Sequence, residues 1–204
     1  MAKVVQISVG GFDKNFSYLV IGEKNHSKEA VLIDPTGDLA KIEGAIQKND
    51  VEVKLLLSTH AHPDHVELLE HFKGKKIPYK NFEELKKCAG RFDTCGFEMK
   101  IIFVPGHTKD SVCYIVGKNI FTGDTLFVRG IGTTAYGGNE EELFKSLTNL
   151  ATLNGELLLW PGHDYGGTKS TLKEALNNTH IAPSKETLEK IKKKVEKYES
   201  KKPF

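Results

Sequence analysis

The stretch Val53-Lys54-Leu55-Leu56-Leu57-Ser58-Thr59-His60-Ala61-His62-Pro63-Asp64-His65 decides how this chain is read. Its apolar first part predicts a buried strand, and the polar part places three imidazoles and one carboxylate within six residues. If the link from His60 to His62 is extended, those two side chains point the same way, while Asp64 and His65 open the next helix and point elsewhere. Two adjacent ligand sets result. Imidazole and carboxylate together suit zinc, iron or manganese, whereas calcium and magnesium prefer oxygen alone.

Working outward, three more ligand-type residues each follow a strand-like run: His107 after 100–104, Asp124 after 118–121 and His163 after 156–160. Gly106, Gly123 and Gly162 precede them directly and let the backbone turn sharply, presenting each side chain at a strand end. With the first cluster they supply a complete shell for two metals bridged by a carboxylate.

This order, His-x-His-x-Asp-His followed by a lone His, a lone Asp and a final His, resembles the motifs of the metallo-β-lactamase superfamily, with every position filled. The resemblance runs from about Val4 to the helix after His163. It implies that His60, His62 and His107 hold one metal, that Asp64, His65 and His163 hold the other, and that Asp124 bridges them. Zinc is the first choice for the two transition-metal ions, with iron or manganese as alternatives. Gly106-His107-Thr108, Gly123-Asp124-Thr125-Leu126-Phe127 and Gly162-His163-Asp164-Tyr165 are similar to both glyoxalase II and the persulfide dioxygenases. Phe16-Ser17-Tyr18-Leu19, 29–35 and Val128-Arg129-Gly130 lean toward the dioxygenases, in which His60, His107 and Asp124 would bind a single iron. Val66-Glu67-Leu68 and Thr133-Thr134-Ala135 depart from the patterns of these branches, so a glutathione-type substrate loses one anchor.

At 204 residues the chain is long enough for a sizeable core and short for two, so one domain over 1–204 is expected. Strands expected at 4–9, 16–21 and 30–33, and helices at 39–48 and 140–151, alternate in two halves. That pattern suits an α/β fold, the αββα sandwich of two mixed β-sheets flanked by helices. Leu188, Ile191, Val195 and Tyr198 line one face of an amphipathic C-terminal helix expected at about 184–200. Cys88, Cys95 and Cys113 are odd in number and lack metal-ribbon spacing, so they read as small apolar fillers.

With 29 basic and 27 acidic residues the net charge is +2, which gives no global field for nucleic acid or membrane. No apolar run approaches the length of a membrane span, and cytoplasmic residence is the default expectation. The expected activity is hydrolysis of a thioester or related acyl substrate, with Asp64 and Asp124 as catalytic carboxylates and no serine or cysteine nucleophile. The expected partner is a small molecule, a thiol conjugate for instance; a homodimer is left open. Arg129 is the candidate substrate anchor, and Thr59, Thr108 and Asp164 are candidates to orient the imidazoles by adjacency. Rival readings are a single-iron persulfide dioxygenase and a phosphodiesterase or nuclease.

Overall fold

Along β2 (Asn15–Lys24), Phe16, Tyr18 and Val20 enter one core while Leu19 and Ile21 enter another, as the two-residue period of a strand buried on both faces requires. The computed structural model describes residues 2–11, 13–24 and 27–179. β2 lies between β1 (Lys3–Gly10) and β3 (Ser27–Ile33), and β4 (Glu52–Leu57) completes the first sheet. β3 and β4 run parallel, since α1 (Leu39–Asn49) carries the chain back between them. Asp38 caps α1 by accepting from the Ala40 and Lys41 amides, a contact worth about 1 kcal/mol.

Three short helices follow: α2 (Pro63–Val66), α3 (Leu69–Gly74) and α4 (Phe82–Lys86). The second sheet holds β5 (Arg91–Thr94), β6 (Phe97–Phe103), β7 (Val112–Val116), β8 (Asn119–Gly123), β9 (Leu158–Pro161) and β10 (Ser170–Thr171). Its neighbours follow the order β10-β9-β8-β7-β6-β5, with β8 and β9 parallel across the crossover helix α5 (Glu140–Leu150). A sixth helix, α6 (Leu172–Asn177), packs behind it.

Tyr18, Val31, Ile33, Leu55 and Leu57 of the first sheet meet Met99, Tyr114, Phe121 and Trp160 of the second in the central core. The outer face of the first sheet packs on α1 and α3, that of the second on α5 and α6. The expected sandwich of two mixed sheets flanked by helices is the observed architecture. One detail departs from simple alternation. The β3–β4 register jumps from Ala30–Val53 to Val31–Leu55, so Lys54 sits in a bulge, and Val53 and Leu55, two apart, face different cores. The helix expected at about 184–200, and with it the far end of the single domain over 1–204, lies outside the described residues.

Candidate metal centre

β4 ends at Leu57 and delivers His60 and His62 on a short link that bends at Thr59 and His60 and is extended at His62, while Asp64 and His65 lie in α2. His107 follows β6, Asp124 follows β8 and His163 follows β9, each on a loop at the same edge of the sandwich. The two sheets are tied at this seam by backbone hydrogen bonds from Phe16 to Gly162 (2.9 Å) and from Val112 to Thr59 (2.7 Å). Two glycines make room. A Cβ on Gly162 would lie 2.2 Å from Asp124 Oδ1, and one on Gly132 would lie 2.7 Å from His107 Nδ1.

The side chains gather into overlapping sets. His60, His62 and His107 form one, Asp64, His65 and His163 a second, and His60, His65 and Asp124 a third, each with its ligand atoms within 4.8 Å of one another. His107 Nε2 lies 3.3 Å from His60 Nε2 and 3.1 Å from His62 Nδ1, and His65 Nε2 lies 3.3 Å from His163 Nε2. Asp124 stands between the sets, with Oδ1 3.3 Å from His65 Nε2 and Oδ2 3.2 Å from His163 Nε2.

Hydrogen bonds behind the rings fix which nitrogen faces inward. His107 Nδ1 donates to the Thr133 carbonyl (2.7 Å) and His163 Nδ1 to the Asp13 carbonyl (2.6 Å). A carbonyl only accepts, so Nδ1 carries a proton and Nε2 faces the centre, offering a lone pair there whenever the ring is neutral. His65 Nδ1 lies 3.1 Å from Asp34 Oδ2, and His60 Nδ1 lies 3.2 Å from the Thr59 hydroxyl. Lone pairs facing one another at these distances repel unless a proton or cation lies between them. Asp124 Oδ1 is buried and makes no well-aligned hydrogen bond, its nearest partner being His65 Nε2 at 3.3 Å, so its charge is incompletely satisfied by the protein. The residues fit a transition-metal cation.

Burial pushes His60 and His107 below the ordinary imidazole range, a cationic His65 adding to the effect on His60. Burial also opposes charge on His65 and His163, but there the Asp124 carboxylate prevails, joined at His65 by Asp34, and both rings are held above that range. Burial alone would raise Asp124; the rings of His65, His163 and His60 outweigh it and keep the carboxyl well below the usual range. An ionised carboxylate is the form a metal requires.

The sequence model of the metallo-beta-lactamase superfamily matches residues 10–80 and 92–163. The chain belongs to this superfamily. A hydroxyacylglutathione hydrolase of Xanthomonas campestris pv. campestris is 32% identical over 190 residues, 88% of this chain and 70% of that protein. The probable polyketide biosynthesis zinc-dependent hydrolase BaeB of Bacillus velezensis is 28% identical over 183 residues, 82% of this chain and 80% of the relative. Among solved structures, ETHE1 from Myxococcus xanthus superposes with a TM-score of 0.71 at 27% identity, covering 96% of this chain and 91% of that one. The chain therefore lies on the glyoxalase II and ETHE1 side of the superfamily.

All seven residues expected to bind metal are brought together. Arg129 is not. Its side chain is exposed, its backbone N–H donates to Tyr165 O, its stem lies against Gly166, and it is absent from the cavity lining. Of the residues expected to orient imidazoles, only Thr59 does so; Thr108 bonds Ser111, and Asp164 accepts from the Gly167 amide. The reach of those two side chains is used up in shaping their own loops.

Sequence reasoning missed Asp34 and Asn15. Asp34 is fully buried and accepts from the Thr59 amide (2.6 Å) and hydroxyl (2.9 Å) as well as facing His65. Asn15 Nδ2 donates to both the carbonyl (2.9 Å) and the carboxylate (3.1 Å) of Asp64. A charged residue ending the apolar run Ala30 to Ile33 was the available signal for Asp34.

Proposed function

We propose that this chain is a metal-dependent hydrolase that cleaves a thioester or related acyl substrate, with two transition-metal ions, zinc first, held by His60, His62 and His107 and by Asp64, His65 and His163, and shared through Asp124. The observation that carries the reading is the buried, hydrogen-bond-free Oδ1 of Asp124 set among inward-facing ring nitrogens at the floor of an open cavity. When bound, such ions supply a nucleophile from water at neutral pH and an electrophile for the substrate carbonyl.

The chain's own residues do the rest. Thr133 and Asp13, through their carbonyls, and Asp34, through its carboxylate, keep the ring protons on the far side of His107, His163 and His65. Asn15 aims the Asp64 carboxylate, which stays partly open to the cavity. Relatives bearing the names hydroxyacylglutathione hydrolase and zinc-dependent hydrolase support this reading. The phosphodiesterase alternative fits poorly, since the cavity carries Asp13, Asp64, Glu67 and Asp124 and, among the described residues, no lysine or arginine.

The test is elemental analysis of anaerobically purified protein together with thiol release from simple thioesters after zinc or iron loading. Two ions and metal-dependent thiol release are expected. A limit of one iron, with oxygen uptake on a persulfide and no thioester cleavage, moves the assignment to the dioxygenase.

A further inference from the structure

The candidate centre opens into a cavity of about 1160 Å³ whose walls outside the ligand shell carry Asp13, Glu67, Tyr136 and Tyr165. Among the described residues no lysine or arginine lines it. Glu67 Oε2 accepts from the Gly37 amide at 3.2 Å, which anchors an exposed carboxylate to the wall. The Asp13 carboxylate accepts from the Tyr165 hydroxyl, and the Tyr165 ring stacks on His163 at 5.1 Å with 7° between planes. Tyr136 is 76% exposed, with its ring 6.5 Å from that of His62. Beyond the ligand shell, the wall is anionic and aromatic.

That lining selects charge. With the scissile carbonyl at the ligand shell, the rest of the substrate would meet the wall. A carboxylate there faces Glu67 and Asp13 with no counter-ion from the described chain. An organic cation meets a carboxylate and the faces of tyrosines, the pairing that recognises quaternary ammonium groups. A glutathione thioester brings two carboxylates and one ammonium to this wall, and among the described lining residues no guanidinium or lysine ammonium pairs with the carboxylates.

We propose that the site takes thioesters whose leaving thiol carries a positive charge and no carboxylate, the cation being met by the Glu67 carboxylate and the Tyr136 ring. The proposal rests on the hydrolase reading and narrows its substrate class. In the reaction the carbonyl carbon–sulfur bond breaks, the water oxygen forms the new carbon–oxygen bond, and the products are a carboxylic acid and a free thiol.

The test measures thiol release by the zinc-loaded protein from three acetyl thioesters that differ in the charge of the thiol: acetylthiocholine, N,S-diacetylcysteamine and S-acetyl-3-mercaptopropionate. One charge–charge contact at a solvated wall is worth about tenfold, so kcat/KM should fall about tenfold at each step from cation to neutral to anion. Glu67→Lys should bring the cation-to-anion ratio close to one or invert it. The neutral thioester is the internal reference, because damaged folding lowers all three rates together and leaves the ratio alone. Equal or faster cleavage of the anionic thioester, or a ratio unmoved by Glu67→Lys, overturns the proposal while leaving the hydrolase reading intact. If no thioester is cleaved, the hydrolase reading falls. Calorimetry with tetramethylammonium then reads the cation site without turnover, and the proposal falls with it if no binding is seen or if Glu67→Lys leaves binding unchanged.

Discussion

Asp34→Asn should weaken one metal set without touching a ligand. In the native site Asp34 Oδ1 accepts from the Thr59 amide at 2.6 Å, and Oδ2 accepts from the Thr59 hydroxyl at 2.9 Å and faces His65 Nδ1 at 3.1 Å. An asparagine keeps the first contact through its oxygen and turns an NH₂ toward the other two. The threonine hydroxyl can reverse and accept. The imidazole can accept only as its other tautomer, which puts a proton on Nε2, the atom that faces Asp124 and His163. Exchanging charged for neutral hydrogen bonds should cost about 1–3 kcal/mol, within the roughly 5–15 kcal/mol stability of a domain, so the fold survives. Loss of such an orienting partner weakens metal binding about 10- to 100-fold. Zinc titration against a chromophoric chelator should resolve one set, that of His60, His62 and His107, near its native affinity and the other weakened by that factor. Long-range nitrogen–proton spectra of the histidine rings would report the changed tautomer directly. Native affinity for both ions in Asp34→Asn would refute the tautomer argument.

Asp124→Ala should lower metal content and nearly abolish turnover, a larger effect than His163→Ala, because its carboxylate faces His65 and His163 of one set and, at 3.8 Å, His107 of the other; full occupancy and activity would remove the bridging role. Gly162→Ala should reduce metal content in a protein that still melts cooperatively, since the new methyl would meet Asp124 Oδ1 at 2.2 Å; unchanged metal content would show that the loop yields. Arg129→Lys should leave KM within about twofold of native, because the exposed guanidinium stands outside the cavity lining and lysine keeps the stem against Gly166. A tenfold rise in KM would restore Arg129 as a substrate contact.

The candidate ligands were legible because strands announce themselves by apolar runs, and the first cluster follows one such run while His107, Asp124 and His163 each follow another after a glycine. The runs expected at 53–57, 100–104, 118–121 and 156–160 appear as the strands Glu52–Leu57, Phe97–Phe103, Asn119–Gly123 and Leu158–Pro161, and the helices expected at 39–48 and 140–151 appear as Leu39–Asn49 and Glu140–Leu150. What stayed hidden depends on long reach. Asp34 meets His65 across 31 positions, and Asp13 meets His163 across 150, pairings that no local pattern encodes. Helices α3, α4 and α6 have six residues or fewer and give too few turns for a periodic signal. Arg129 is five positions from Asp124 in sequence, yet beyond the turn closed by Phe127 and Gly130 its side chain is exposed and outside the cavity lining.

The ligand sets draw on both sheets at once. His107 meets His60 across 47 positions, and His163 meets His65 across 98. A cation held at either set is thus a cross-link between the two halves of the chain, closing a long loop much as a covalent bridge would. Removing metal should do more than silence chemistry: it should loosen the seam, lower the unfolding midpoint and make that midpoint depend on free-ion concentration. Supply of metal would then govern how long the polypeptide persists as well as how fast it turns over substrate.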